Sequence, residues 1–192
     1  MKQRIKNLTS KVLSDHFFLL KEYIFDYIKD DLKEERHTRE VYDHGDGASV
    51  LLYNLNKRTV VLTRQFRLPT HLNGTESGMS IEVCAGSLDG DNPEECAKRE
   101  VLEETGYLVP DVERVLEAYA SPAVMTELAY LFIAAYTDEM KITVGGGLKE
   151  EQEHIEVLEM SFEKAFEMLR TGEIRDARTI MLLQHFKITK LM

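Results

Sequence analysis

The first forty-odd residues carry a loose alternation of apolar and polar side chains, which is the pattern of half-buried strands. The alternation runs through residues 17–27, stops at a charged turn and resumes over residues 37–42. Two strands are only marginally stable in water, so we expect this piece to dock on the rest of the protein or on another subunit. A glycine-containing stretch then ends the pattern. We therefore predict a strand segment at residues 1–44 and a main domain at residues 45–192.

The main domain carries the patterns of six strands and three helices. The strands are predicted at residues 48–55, 59–66, 80–83, 112–120, 128–136 and 155–160, and the first two form a hairpin. The helices are predicted at residues 93–105, 162–170 and 177–187. Strands dominate the middle of the chain and helices do not alternate with them regularly. This order predicts an α+β domain with a mixed sheet rather than a regular βαβ array.

Composition narrows the classes of partner. The chain has 34 acidic and 24 basic residues, a net charge of −10, which disfavours nucleic acids and anionic membranes because both are bound by basic faces. A small phosphorylated ligand is compatible with this charge if metal ions supply the positive charge.

Cysteine usage and hydropathy indicate a cytoplasmic protein. Two cysteines, Cys84 and Cys96, are too few for a disulfide framework and are not spaced as a zinc site, so buried thiols are expected. The first residues lack the apolar core of a signal peptide. The longest apolar run, residues 128–136, is far shorter than the roughly 20 residues that span a bilayer.

Residues 93–105 carry signals for both ends of a helix. Asn92 can cap the first turn, Pro93 fits the first helical position, and Gly106 suits the left-handed residue that ends a helix. Glu95 stands where the acid of a capping box belongs.

Three glutamates share one face of this helix at 3.6 residues per turn: Glu100, Glu103 and Glu104. Ala97 and Val101 flank that face, so it is expected to lie near the core. A solvated acidic face is the ordinary explanation of such a cluster. A binding site is favoured here because the glycine-containing loop at residues 85–91 lets backbone approach the carboxylates. Carboxylate and carbonyl oxygens suit Mg²⁺, with Mn²⁺ as the alternative.

Residues 86–107, GSLDGDNPEECAKREVLEETGY, resemble the signature box of the Nudix hydrolases, G-x5-E-x7-R-E-U-x-E-E-x-G-U with U aliphatic. The second half of the box, from Arg99 to Gly106, matches completely. Asp91 stands where the family has Glu, the gap from Gly86 to it is one residue short, and Tyr107 replaces the aliphatic residue. These positions support the loop and are not ligands, so the departures concern loop geometry more than activity.

The resemblance extends over nearly the whole chain and points to the nucleoside-diphosphate-sugar group, the relatives of ADP-ribose pyrophosphatase. The residues that carry it are Arg39-Glu40-Val41, Gln65-Phe66-Arg67, Ser121-Pro122, Glu127 and Glu151-Gln152-Glu153. Residues 38–43 and 172–176 are most similar to the bacterial GDP-mannose pyrophosphatases. The resemblance implies an α/β/α sandwich around a mixed sheet. It also implies a homodimer that exchanges its amino-terminal strands and shares its active site between subunits.

The resemblance further implies residue roles. The metal ligands would be the carbonyl of Ala85 and the carboxylates of Glu100 and Glu104, with Glu103 and Glu153 as further candidates. The catalytic set is Glu153 as the base, with Glu151 second, and Glu104. Both Glu151 and Glu153 lie in an acidic segment that is expected to be mobile because three glycines precede it. The substrate-binding set is Phe17, Thr38, Arg39, Glu40, Arg67, Ala85, Gly86, Ser87, Glu104, Glu127 and Arg178.

Some of these assignments have ordinary alternatives. Arg39 and Arg67 could form surface ion pairs instead of binding phosphate, and Phe17 could lie in the core instead of stacking on a base.

The reaction implied by the resemblance is Mg²⁺-dependent hydrolysis of a nucleoside diphosphate sugar, with GDP-mannose giving GMP and mannose 1-phosphate. An alternative substrate is ADP-ribose or another ADP-sugar. An alternative of a different class is a ligand sensor with a Nudix fold and no turnover. The intact run from Arg99 to Glu104 argues against a sensor, because a sensor has no need of metal-binding glutamates.

Overall fold

The computed structural model describes residues 3–148 and 153–191, and these form two compact units. One unit contains the chain up to Asp46 together with Tyr119–Leu128, and the other contains Gly47–Ala118 and the chain from Ala129 onward. The first unit is thus formed by the amino-terminal segment and a ten-residue stretch from later in the sequence. None of the helices in the described residues is long and apolar enough to cross a membrane.

The first unit is an antiparallel sheet of three strands, β1 (Ile5–Asp15), β2 (Leu19–Ile28) and β3 (Glu34–Asp43), in that order. The expectation of two strands is therefore wrong. Strand β1 is exposed along nearly its whole length, so its sequence carries no clear alternation, and its pairing with β2 is interrupted by two register shifts.

The later stretch joins this unit through backbone hydrogen bonds at the end of β3. Tyr42 N donates to Val124 O at 2.8 Å, and Thr126 N donates to Tyr42 O at 3.2 Å. The hydroxyl of Thr126 also donates to the carboxylate of Asp43 at 3.0 Å. These contacts fix residues that are far apart in sequence beside one another.

The second unit is built on a seven-stranded mixed sheet. Its strands are β4 (Gly47–Asn54), β5 (Thr59–Phe66), β6 (Met79–Glu82), β7 (Cys84–Ser87), β8 (Glu113–Tyr119), β9 (Leu128–Ala135) and β10 (Glu156–Ser161). The order is β10-β5-β4-β9-β8, with β6 paired to β5 and β7 paired to β4. Strands β4 and β9 are parallel, while β4 is antiparallel to β5 and β7. The predicted mixed sheet and α+β class are confirmed.

Among the described residues, four α-helices accompany this sheet: α1 (Leu68–Leu72), α2 (Pro93–Glu100), α3 (Phe162–Thr171) and α4 (Ala177–Lys190). The sequence did not indicate α1 or β7, because each is only four or five residues long and carries too few residues to show a period. The helix predicted at residues 93–105 is α2 followed directly by a π-helical turn, Val101–Thr105.

The two faces of the sheet carry two separate cores, as the alternation along β4 requires. Leu51 packs in one core with Phe162 of α3 and Phe186 of α4. Val50 and Leu52 pack in the other core with residues of α2 and of the π-helical turn. The sheet therefore lies between helices on both sides, and the glutamate-bearing helix is fixed against its second face.

Candidate active site

The glutamate-bearing helix is fixed at both ends by local chemistry. The side chain of Asn92 accepts a hydrogen bond from Glu94 N at 2.9 Å, and Pro93 occupies the first turn. At the other end Gly106 is left-handed, with φ of +79°, and its N–H donates to Leu102 O at 3.0 Å. The last turn before it is π-helical, a departure from α geometry that often occurs at functional sites.

Glu104 is the most deeply buried of the three glutamates, with 1% of its surface exposed. Its Oε2 accepts a hydrogen bond from Ala85 N at 3.3 Å. Burial is the main cause that raises the pKa of Glu104 to about 8, and the negative charges of Glu100 and Glu153 contribute to that rise. The acidic face is therefore turned toward the protein interior and the β7 loop, as its apolar flanks predict.

Glu100 lies against the backbone of Gly86. A Cβ at position 86 would overlap the carboxylate of Glu100, so glycine leaves the space that this carboxylate occupies. Arg99 donates to Glu100 Oε1 at 2.7 Å, but burial outweighs this contact and raises the pKa of Glu100 to about 7. The glycine that opens the signature box thus allows a carboxylate to reach the loop.

Arg99 ties the loop to the helix. Its guanidinium donates to Glu103 Oε2 at 3.2 Å and to the carbonyl of Ser87 at 3.3 Å, and it lies 3.5 Å from a carboxylate oxygen of Asp91. Asp91 is the residue that stands where the family has glutamate. Its contact with Arg99 maintains a link between the loop and the helix despite the shortened box.

Glu153 is brought to this cluster from a distant part of the sequence. Its Oε2 accepts a hydrogen bond from Leu148 N at 3.0 Å, and its charge acts on both Glu100 and Glu104. Gly146 and Gly147 are hydrogen-bonded through their N–H groups to the end of the π-helical turn. The expected mobility of the acidic segment stays a prediction. Glu151 lies outside the described residues.

Arg67 and Arg178 meet at a buried carboxylate that sequence reasoning missed. Arg67 contacts both oxygens of Glu82, at 3.1 and 2.8 Å, and Arg178 lies 3.5 Å from Glu82 Oε2. Arg178 also donates to Asp176 Oδ1 at 3.2 Å. Arg67 thus forms an ion pair, with its own side chain partly exposed and its partner Glu82 buried at the end of β6. The sequence indication available for Glu82 was its place as a single acid between two apolar residues, Ile81 and Val83.

Glu127, in the first unit, is also held by a residue that sequence reasoning missed. His44 Nε2 lies 3.2 Å from Glu127 Oε2, and Glu127 is buried. The ring of Phe18 packs on His44 with centroids 4.9 Å apart. Phe17 is 88% exposed and contacts the edge of Phe18, so its alternative placement in the core is wrong.

Three further candidates lie on the exposed part of β3: Thr38, Arg39 and Glu40. Arg39 donates to the carbonyl of Thr38 at 2.8 Å and lies 3.1 Å from the ring Nδ1 of His37. The side chains of this stretch are thus presented on the surface of the first unit, where they are accessible to a ligand or another subunit.

Within residues 3–148 and 153–191, no group of three or more histidine, cysteine, aspartate or glutamate side chains has the arrangement of a metal site. The carboxylates have other partners instead. Glu100 is paired with Arg99, and Glu104 accepts from the loop backbone. These hydrogen bonds involve Oε1 of Glu100 and Oε2 of Glu104.

Comparison with known proteins gives the family. The NUDIX domain profile matches residues 43–183, and a profile described as the GDP-mannose pyrophosphatase NudK N-terminal domain matches residues 4–42. Proteins described as GDP-mannose pyrophosphatase from Escherichia coli O1:K1 / APEC and Shigella sonnei (strain Ss046) are each 50% identical over 192 residues, the full length of both chains. These matches confirm the resemblance read from the signature box, and this chain belongs to the Nudix hydrolase family.

Proposed function

We propose that this chain hydrolyses the pyrophosphate bond of GDP-mannose and releases GMP and mannose 1-phosphate. The observation that carries the proposal is the pair of carboxylates, Glu100 and Glu104, held against the loop at residues 85–87 with Arg99 beside them. The substrate is supported by full-length relatives whose descriptions name GDP-mannose pyrophosphatase. A diphosphate ligand for a protein of net charge −10 needs a local source of positive charge.

Nudix hydrolases generally use divalent metals, and we propose Mg²⁺ for this chain. The residues fit such an ion chemically, because carboxylates and carbonyls are the hard oxygen donors that Mg²⁺ prefers. Glu100, Glu104 and the carbonyl of Ala85 are the proposed ligands, and Glu103 is a further candidate. Burial, with the neighbouring carboxylates adding to its effect, raises the pKa values of Glu100 and Glu104 and so disfavours their charged forms. A cation would supply positive charge at this cluster.

The chemistry divides between the cation and the chain. When bound, a divalent cation neutralises charge on the pyrophosphate and lowers the pKa of a bound water. Glu153 is the proposed general base and would accept the proton of the attacking water, with Glu151 as the second candidate. A carboxylate that does not ligate the metal is the better base, because a bound cation depresses the pKa of its ligands. Arg99 holds the loop in place by contacting Ser87.

Two arginines of the second unit are the proposed phosphate contacts. Arginine presents a planar set of donors that matches phosphate oxygens. Arg67 is oriented by both oxygens of Glu82, and Arg178 by Glu82 and Asp176. The backbone of residues 85–87 would complete the binding surface.

We further propose that the protein is a homodimer whose subunits exchange their amino-terminal strands. Residues of the first unit would then contact substrate at a shared active site; they are Phe17, Thr38, Arg39, Glu40 and Glu127. The exposed apolar side chains of β1, which include Leu8 and Val12, support an interface with a second copy. Mixing an Arg39→Ala variant with a Glu104→Gln variant should restore some activity through hybrid dimers. If the mixture showed only the summed activities of the two separate variants after subunit exchange, the shared site would be contradicted.

A panel of nucleotide sugars with Mg²⁺ in ¹⁸O-labelled water tests the function. GDP-mannose should be turned over with the highest kcat/KM, and the labelled product should identify the phosphorus that is attacked. Preference for ADP-ribose would replace the proposed substrate. Binding of a nucleotide sugar without turnover would instead indicate a sensor.

A further inference from the structure

The three glycines before the acidic segment lie along the end of the glutamate-bearing helix. Gly146 N donates to the carbonyl of Glu104 at 2.8 Å, and Gly147 N donates to the carbonyl of Glu103 at 3.1 Å. The carbonyls in the last turn of a helix receive no hydrogen bond from within that helix. The glycine segment therefore takes the place of the next helical turn and fixes the chain beside the site.

The three glycines differ in what surrounds them, although all have positive φ values. A Cβ at Gly145 would lie 2.5 Å from the carbonyl oxygen of Glu104, while a Cβ at Gly146 would contact nothing closer than 3.7 Å. A Cβ at Gly147 would lie 2.7 Å from the Cβ of Glu153 and would also overlap its carboxylate. Of the three glycines, only Gly147 has a candidate catalytic side chain in the space that a Cβ would occupy.

Glu153 is fixed where it meets Gly147. Its carboxylate accepts from Leu148 N at 3.0 Å, and its own N–H donates to Leu148 O at 3.3 Å. The obstruction at 147 involves the Cβ of Glu153 and not only the end of its flexible side chain. Relief would therefore require the backbone at 153 to move and would disturb the Leu148 hydrogen bonds.

We propose that Gly147 is a positioning residue whose missing Cβ allows Glu153 to face the carboxylates of the glutamate-bearing helix. This inference rests on the proposed function, because the role of Glu153 in turnover is part of that proposal. A side chain at position 147 would displace Glu153, and its Cβ would also lie 3.0 Å from the Cδ1 of Ile155. Turnover should fall while substrate affinity is kept.

The test compares Gly147→Ala with Gly172→Ala. Gly172 is the matched control because its φ of +77° is close to the +79° of Gly147, and a Cβ there would meet nothing within 4 Å. It ends α3, and its backbone bonds are with α3 and with the Arg175 side chain. Alanine at either position bears a similar φ strain, so the two variants differ in the collisions at position 147, with Glu153 and with the Cδ1 of Ile155 at 3.0 Å.

Steady-state kinetics with GDP-mannose and Mg²⁺ should show kcat lowered about 10²-fold in Gly147→Ala, the order of a general-base contribution, with KM within about threefold. Gly172→Ala should keep kcat within about threefold. The double variant Gly147→Ala/Glu153→Gln should be no slower than Glu153→Gln alone, because both changes remove the same contribution to turnover, that of Glu153. Amide exchange at Leu148, followed by NMR, should accelerate in Gly147→Ala only.

Each alternative outcome identifies what has failed. Equal kcat values for Gly147→Ala and Gly172→Ala, or additive losses in the double variant, would overturn the inference. A wild-type protein that does not hydrolyse any nucleotide sugar would overturn the proposed function instead. The Leu148 amide exchange would still test the position of Glu153 in that case, since it does not depend on turnover.

Discussion

Replacing Glu104 by glutamine should stabilise the metal-free protein, and the gain should grow with pH. Burial raises the pKa of Glu104 from 4.5 to about 8. The folded state therefore binds this proton more tightly than the unfolded state does, and the free energy of unfolding falls as the pH rises between these two values. Glutamine has nearly the same shape and no charge, so the variant should not lose stability over that range.

The magnitude follows from the two pKa values. A pH of 7 is about 2.5 units above the unfolded-state pKa of Glu104 and still below its folded-state pKa. The free energy of unfolding that the wild type loses at pH 7 therefore has an upper limit of about 3 kcal/mol. An amide in place of the carboxylate must find its own hydrogen-bond partners, so we expect a gain of about 1–3 kcal/mol. For a chain of this length that is a rise in Tm of roughly 2–12 °C.

The assay is thermal or urea unfolding in a chelator at pH 5 and pH 8. Glu95→Gln is the control, because Glu95 lies on the same helix with 72% of its side chain exposed. It should leave stability within about 0.5 kcal/mol of wild type at both values. Added Mg²⁺ should stabilise the wild type and narrow the difference, since a ligand that binds only the folded state stabilises it. A Glu104→Gln gain that is absent, or equal at both pH values, would refute the reasoning.

Four further results are expected. Glu153→Gln should lower kcat by at least about 10²-fold with little loss of Mg²⁺ affinity measured by calorimetry; a large loss would make Glu153 a ligand. Gly86→Ala should displace Glu100, so turnover should fall while a surface change such as Glu163→Gln leaves it unaltered. Glu82→Gln should raise KM about 10-fold or more with kcat nearly unchanged, because Arg67 loses its orienting charge; an unchanged KM would contradict this role. Leu182→Ala should lower the free energy of unfolding by about 2–5 kcal/mol, measured in urea, because Leu182 is fully buried.

Local sequence determined the parts of the fold whose signals lie within a few residues of one another. The hairpin of β4 and β5 and the caps of α2 were predicted because alternation and capping depend on residues a few positions apart. The family also followed from the sequence, since the run from Arg99 to Gly106 is contiguous. The inward orientation of the acidic face, with Glu104 buried and Glu100 and Glu103 half-buried, followed from the apolar neighbours at helical spacing.

Tertiary structure decided everything that depends on residues distant in sequence. Strand β1 was missed because its exposed residues show no alternation, and its partner is identified only by pairing. Glu82 could not be assigned to Arg67 and Arg178 from spacing, because these residues meet only where β6 and α4 come together. Position 147 is the clearest case. The glycines there predicted a mobile segment, and the sequence could not show that a Cβ at position 147 would collide with Glu153, since steric exclusion depends on which atoms become neighbours after folding.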